Sequence, residues 1–140
     1  SNQRAMLDLN MFADGSWYQE SIVVIGSQAK VECQIPGPTR FWPKESLGES
    51  PIPQLILSPR EPKGPKTLTV PVDPKLLEAG DHNGSTFYQH ERFARVLRGE
   101  QSVEVSLQDG LKAVLIGLAA HRSIETGKAI DLTCGEYNIS

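Results

Sequence analysis

The stretch LDLNMFADGSWYQESIVVIGSQAKVECQI, residues 7–35, decides the fold. Apolar and polar side chains alternate over residues 7–11, which is the period of a half-buried strand. An Asp-Gly pair follows at residues 14–15, and this pair is typical of a tight hairpin because both residues tolerate positive φ. Residues 17–25 are rich in β-branched side chains, and residues 31–35 alternate again. The stretch therefore predicts an antiparallel meander of three strands.

The next segment is rich in proline. Of the ten prolines in the chain, only Pro71 and Pro74 lie outside residues 36–65, which leaves eight within thirty positions. Proline cannot donate to a hydrogen-bond ladder, so this density predicts loops and edge strands rather than helix. Two short strands are expected, at residues 54–57 and 66–72.

Two helices are expected in the C-terminal half. Thr86 has a glutamine three positions later, a capping-box arrangement, and the helix that it begins should end before Gly99. Ser106 has an aspartate three positions later, and its helix should end at Gly127. Strands followed by helices predict an α+β fold, with an antiparallel open sheet and helices packed on one face. The whole chain, residues 1–140, is the size of one domain.

Composition excludes several classes of protein. Fourteen basic and seventeen acidic side chains give a net charge of -3, without the basic cluster that nucleic-acid binding requires. The longest mainly apolar run, residues 21–26, is too short to cross a bilayer. A cytoplasmic protein is therefore expected. Cys33 and Cys134 lie far apart; they could pair, but two unrelated thiols are the commoner case in such proteins.

The stretch GDHNGSTFYQH, residues 80–90, carries the candidate site residues His82 and Tyr88. A histidine can act as an acid, a base or a donor to a substrate hydroxyl. The alternative is that His82 bonds to backbone groups in the turn before the helix. A second candidate is the pair Phe41-Trp42 beside Arg40, which could stack on a sugar ring or cover the edge of a sheet.

Motifs for other chemistries are missing from the sequence. It has no Cys-x-x-Cys and no His-Glu-x-x-His, so no metal site is expected. It has no Gly-x-Ser-x-Gly elbow, which argues against a serine hydrolase. Because no Gly-x-Gly-x-x-Gly or Walker sequence occurs, no nucleotide-binding loop is expected either.

Five segments together resemble the C-terminal half of the Gfo/Idh/MocA family, the glucose–fructose oxidoreductase and inositol dehydrogenase group. They are MFADGS at 11–16, VVIG at 23–26, DHNGSTFY at 81–88, SLQDGLKAV at 106–114 and SIETGK at 123–128. They occur in the order of the family and cover nearly the whole chain.

The resemblance implies an N-terminal Rossmann domain that holds NAD or NADP, followed by a domain for substrate binding and oligomerisation. Members oxidise or reduce a sugar or polyol by hydride transfer, with a lysine in a Glu-Lys-Pro motif and often an Asp-x-x-x-His pair. Here Glu61-Pro62-Lys63 has a different order, and no histidine has an aspartate four residues before it. The resemblance therefore transfers no catalytic residue, and the chain alone should be inactive and bind no cofactor.

His82 and Tyr88 match the segment that approaches the substrate cleft in family members, so one of them should line the sugar end of the site. The partners expected are the Rossmann domain, a sugar or polyol, and further copies of the same chain. The alternative is a stand-alone binding or oligomerisation module with this fold and no dehydrogenase activity.

Overall fold

The computed structural model describes residues 4–9, 12 and 15–139. Its contacts divide the chain into two compact units, Ser1–Glu91 and Arg92–Ser140. The first unit contains the sheet and the second contains the long C-terminal helix, and each is described by itself below. The expectation of a single domain over residues 1–140 stays a prediction.

A four-stranded antiparallel sheet forms the first unit, in the order β1-β2-β3-β4. The strands are β1 (Glu20–Ile25), β2 (Ala29–Ile35), β3 (Gln54–Pro59) and β4 (Lys66–Thr69). Each strand pairs with its neighbour in sequence, so the antiparallel pairing of the second and third predicted strands is confirmed, while the first predicted strand is not found at residues 7–9. The α+β class and the open antiparallel sheet are confirmed as well; that helices cover one face of it stays a prediction.

The start of the predicted meander differs from the structure. Residues 7–9 carry no strand, and residues 10, 11, 13 and 14, which include the aspartate of the expected hairpin, lie outside the described residues. β1 begins at Glu20 instead of residue 17. Trp17 does not join the ladder; its ring packs against Trp42, with centroids 5.3 Å apart and planes inclined by 48°.

The register gives the sheet two unlike faces. Across the four strands the pairs Val24–Val31 and Val31–Leu57, together with Leu55–Leu68, point to the same side. We call the apolar residues of this side the apolar face: Ile22, Val24, Val31, Cys33, Ile35, Leu55, Leu57 and Leu68. Glu20 and Lys66, the first residues of β1 and β4, lie on the same side. The opposite side carries mostly polar groups, among them the ion pair of Lys30 with Glu32 at 2.9 Å. An antiparallel sheet with one apolar face is built to be covered on that face only.

The proline-rich segment contains more helix than the sequence predicts. A single turn, α1 (Lys44–Leu47), lies inside it, and this corrects the expectation that no helix occurs there. A further helix that was not predicted, α2 (Pro74–Ala79), follows the sheet. The Asp73 side chain accepts a hydrogen bond from the N–H of Lys75 at 2.9 Å. Asp before Pro at the first helical position is a start signal that this sequence does contain.

β3 and β4 differ in length from their predictions. β3 extends two residues beyond the predicted end, to Pro59, and β4 ends at Thr69 rather than at residue 72. Val70 still donates to Pro53 O at 2.8 Å. Pro71, with no N–H to donate, cannot extend the ladder further.

The two predicted helices are present. α3 (Ser85–Leu97) begins one residue before the predicted N-cap, because Ser85 already has helical φ and ψ. α4 (Leu107–Thr126) has Ser106 as its N-cap and Gly127, at φ 64°, as its C-cap, as predicted. In the part of the chain that the structure describes, no helix combines the length and the apolar character needed to cross a membrane.

Few apolar side chains are fully covered. Among the described residues Ala119 is the one apolar side chain of the core, at 4% exposure. On the apolar face Ile22 is 65% exposed, Val24 59% and Leu68 56%. Isolated exposed apolar residues are ordinary, but a contiguous group of this size marks an interaction surface.

Candidate functional site

The candidate site centres on residues 81–84, Asp-His-Asn-Gly, which we call the anchored turn. The turn contains a short 3-10 segment, His82–Gly84, and leads directly into α3. His82 and Asn83 both have positive φ, at 59° and 51°, and Gly84 has φ 78°. A non-glycine residue in this left-handed region is uncommon and costs on the order of 1 kcal/mol or more. Two in succession persist only where surrounding contacts hold them.

Asp81 supplies the first of these contacts. Nη2 of Arg40 donates to its Oδ2 at 2.9 Å, and Nη1 lies 2.8 Å from Oδ1. Oδ1 accepts no hydrogen bond of good geometry although water does not reach it, so the second contact is chiefly Coulombic. The guanidinium of Arg40 also lies 4.6 Å from the ring centroid of Phe41. The arginine is thereby held from two sides.

The next two residues of the turn bind to the sheet. His82 Nδ1 lies 2.7 Å from Oε1 of Glu20, the first residue of β1. Asn83 Nδ2 donates to the carbonyl of Pro36 at 2.9 Å, directly after β2 ends. Three consecutive side chains thus reach three separate segments of the first unit, which is how the strained backbone is maintained.

Gly84 closes the turn at a point where an added side chain would press on its neighbours. It is buried, and a Cβ at this position would lie 3.2 Å from Cδ1 of Leu76 and 3.4 Å from Cε2 of Tyr88. Tyr88 is 40% exposed, and its ring meets Phe87 edge-on at 5.6 Å. Both site residues predicted from the sequence, His82 and Tyr88, therefore belong to the anchored turn and the first helical turn after it.

The imidazole of His82 is exposed to solvent and bonds to the protein through Nδ1. The side chain of His82 is 59% exposed and that of Glu20 is 51% exposed, so their hydrogen bond contributes at most about 1 kcal/mol of stability. No described residue bonds to Nε2 of His82. With Nδ1 donating to the carboxylate, the ring in its neutral form carries its free lone pair on Nε2. The arrangement can accept a hydrogen bond from a hydroxyl group.

A cavity of about 220 Å³ lies beside the turn, with Asn83 in its wall. Its polar lining comes from Thr39, Glu49, Ser50 and Asn83, and its apolar lining from Pro51, Ile52, Pro53, Pro71, Val72 and Leu77. Rigid apolar walls with a few polar groups are typical of small-molecule sites, although this volume is below that of a drug-sized pocket.

The structure places Phe41 and Trp42 in different environments, and the two roles considered for the pair were stacking on a sugar ring and covering the edge of a sheet. Trp42 packs on Trp17 and its Nε1 donates to Gly48 O at 3.0 Å, so it covers the chain where β1 begins. Phe41 is 70% exposed. Of the remaining histidines, His90 is exposed and is not bonded to any described residue, and His121 is exposed with Nε2 3.4 Å from Oε1 of Glu125.

The two cysteines are free thiols, as expected. The Asp131 carboxylate next to Cys134 raises the pKa of this thiol, first through its charge and then through a hydrogen bond. A raised pKa keeps the sulfur protonated, so Cys134 is not an activated nucleophile. Within residues 4–9, 12 and 15–139 no three His, Cys, Asp or Glu side chains are grouped closely enough to hold a metal ion.

The residues present do not fit a dinucleotide cofactor. A pyrophosphate needs free N–H groups at a helix N-terminus. The N-terminus of α4 is occupied by its own Asp109, whose Oδ2 accepts from Ser106 N at 2.9 Å. The N-terminus of α3 directly continues the anchored turn. Neither helix begins with the glycine-rich loop that seats a pyrophosphate, so the described residues do not fit this part of the cofactor.

Glu20, Arg40 and Asn83 are site residues that sequence reasoning did not assign. Asn83 had a local signal, since Asn-Gly tolerates positive φ. Glu20 and Arg40 had no local sequence signal, because they lie 62 and 41 residues from their partners. The chain matches no protein-family model and no curated protein sequence.

Proposed function

We propose that the chain is the substrate-binding and oligomerisation domain of an NAD(P)-dependent oxidoreductase that acts on a sugar or polyol in the cytoplasm. It is not catalytic by itself, because its residues fit no dinucleotide and include no catalytic lysine motif. The cofactor is held by an N-terminal Rossmann domain. The observation that carries the proposal is the anchored turn, where the Glu20–His82 pair displays a hydrogen-bonding imidazole.

Three further observations support it. The turn coincides with the segment whose sequence resembles the approach to the substrate cleft in Gfo/Idh/MocA proteins. The α+β class with an open antiparallel sheet is the one expected for their C-terminal half. The cavity beside Asn83 combines hydroxyl, amide and carboxylate groups with apolar walls, which suits the mixed C–H and O–H surface of a sugar.

Sequencing the gene upstream of the codon for Ser1 is the first test. A strand–Gly-x-Gly-x-x-Gly–helix unit followed by Glu-Lys-Pro would support the proposal. The protein encoded by the whole gene is then assayed with NAD and with NADP against a panel of sugars and polyols, by absorbance of the reduced nicotinamide. Absence of turnover with every member of the panel would refute the proposal.

Alanine variants test the site itself. His82→Ala or Tyr88→Ala should reduce turnover or substrate affinity in the full-length protein. His90→Ala is the matched control, since this histidine is exposed on α3, the helix of Tyr88, and is not bonded to any described residue. Unchanged turnover and affinity in both site variants would refute the assignment of these residues to the substrate cleft.

The alternative, a stand-alone binding or oligomerisation module, is favoured by the exposed apolar face of the sheet. Ile22, Val24 and Leu68 on that face are more than half exposed. Such a surface predicts self-association. Light scattering at high protein concentration checks this. A start codon directly upstream of Ser1, with an oligomeric mass and no turnover, would establish the alternative; a strictly monomeric mass would contradict the oligomer in both versions.

A further inference from the structure

His82 occupies a backbone position for which its side chain is poorly suited. Its φ of 59° lies in the left-handed region, where a glycine has no steric penalty and a histidine does. The neighbouring Gly84, at φ 78°, shows the usual solution at such a position. Asn83 is the other residue type that tolerates this region. Glycine would adopt this φ without steric strain, so the backbone conformation does not explain why a histidine is present. The imidazole side chain is the remaining reason.

The bond that the imidazole makes does not by itself account for this strain. The side chains of Glu20 and His82 are both more than half exposed, and so exposed a contact contributes little to stability, whether the imidazole is neutral or charged. Asp81 and Asn83 already tie the turn to the segments at Arg40 and Pro36. What the Glu20 contact does fix is the ring itself: its orientation, and the tautomer with the proton on Nδ1.

We propose that His82 is a substrate-binding residue whose Nε2 accepts a hydrogen bond from a hydroxyl of the sugar or polyol, and that Glu20 is the positioning residue that holds this tautomer. This inference rests on the proposed function for the substrate class. It commits to one of the two candidates, His82 rather than Tyr88, and assigns Glu20 a role that the sequence did not indicate. The ring side that carries Nε2 has no bonded protein partner among the described residues, so a ligand hydroxyl has access to it.

The decisive variant is His82→Gly in the full-length protein. Glycine adopts φ 59° without strain, so the midpoint of thermal unfolding should rise, or fall by no more than about 2 °C. Over the same panel of sugars and polyols, kcat/KM should fall by about 10- to 100-fold, because the hydroxyl loses its acceptor. A loss of several degrees, or failure to fold, would identify His82 as a structural tie and overturn the inference. Unchanged kcat/KM would overturn it as well.

His90→Ala is the matched control. This histidine is exposed on α3, and no hydrogen bond or ion pair joins its side chain to a described residue. We expect an unchanged unfolding midpoint and a kcat/KM within about twofold to threefold of the wild type. A loss of kcat/KM as large as that of His82→Gly would show that the effect is not specific to the imidazole of His82, and would overturn the inference.

Glu20→Ala tests the positioning role by a spectroscopic signature. In wild-type protein the 15N resonance of His82 Nε2 should lie in the unprotonated, pyridine-like range, and it should move toward the protonated range when Glu20 is removed. A wild-type Nε2 that already carries the proton would overturn the role of Glu20. The tautomer and the unfolding midpoint do not depend on turnover. If the wild type turns over no sugar or polyol, the proposed function fails separately from these two results.

Discussion

The anchored turn and the N-terminus of α4 are held by opposite kinds of contact. Residues 81, 82 and 83 bond to partners that are 41, 62 and 47 positions away, respectively. At the start of α4, Ser106 and Asp109 bond reciprocally to each other's side chain and backbone, three positions apart. A local cap stabilises a helix end wherever that helix lies. The turn, in contrast, exists only when the sheet and its connections are already formed.

The largest effect that separates the two regions is expected for Gly84→Ala. Alanine would have to adopt the positive φ of this position, and its methyl group would lie 3.2–3.4 Å from atoms of Leu76 and Tyr88. We expect the free energy of unfolding to fall by about 2–3 kcal/mol, measured by urea denaturation. Gly127→Ala is the control: φ is 64° but no atom lies within 4 Å, so about 1 kcal/mol is expected. Equal losses of unfolding free energy in the two variants would mean that Leu76 and Tyr88 move aside to accommodate the methyl group.

A smaller effect in the same region is expected for Asn83→Ala. The variant loses the 2.9 Å hydrogen bond to Pro36 O and places alanine at φ 51°, which together should cost about 1–2 kcal/mol. Hydrogen exchange should quicken for amides of β1 and β2 and stay unchanged in α4. Quickened exchange in α4 as well would contradict the contrast between long-range and local contacts.

In the second region the matching change is Ser106→Ala. It removes the hydroxyl that accepts from Asp109 N at 3.2 Å and should cost about 1 kcal/mol. The loss should appear as faster hydrogen exchange in the first turn of α4, with the amides of the anchored turn unaffected. Ser102→Ala, in the connection before the helix, provides a control in which exchange stays at the wild-type rate.

The smallest effect is expected for the stability of α4 at low pH. The hydroxyl and backbone N–H of Ser106 lower the pKa of Asp109 below its ordinary range. Because the folded pKa is the lower one, the stabilisation is complete above the ordinary carboxyl pKa and is lost as pH falls through the folded value. Helix content of α4 should therefore decline at low pH. Asp109→Asn should remove this part of the acid response; an unchanged response would contradict it.

The sequence predicted the features that local chemistry determines. The ends of α4 were predicted correctly, because Ser106, Asp109 and Gly127 are caps that act within one turn of the chain. The later strands were predicted because alternation and proline act locally too. α2 was missed although the Asp73-Pro74 start signal was present in the sequence.

Features that depend on distant partners could not be predicted. β1 begins three residues later than predicted, and Trp17 instead packs on Trp42, a contact between residues 25 positions apart. The segment around His82 was identified as a candidate site, but neither the positive φ of His82 nor its contact with Glu20 follows from spacing. The partner of a strained residue becomes known only when the strands are placed in register.

The contact between Trp17 and Trp42 has a practical consequence. These are the two tryptophans of the chain, and both belong to the first compact unit. Their rings lie 5.3 Å apart, close enough for the excited states of the two indoles to couple. Intrinsic tryptophan fluorescence therefore reports on the sheet and its connections alone. Far-ultraviolet circular dichroism, in contrast, is dominated by helix, so the two signals together resolve whether the units unfold in one step or in two.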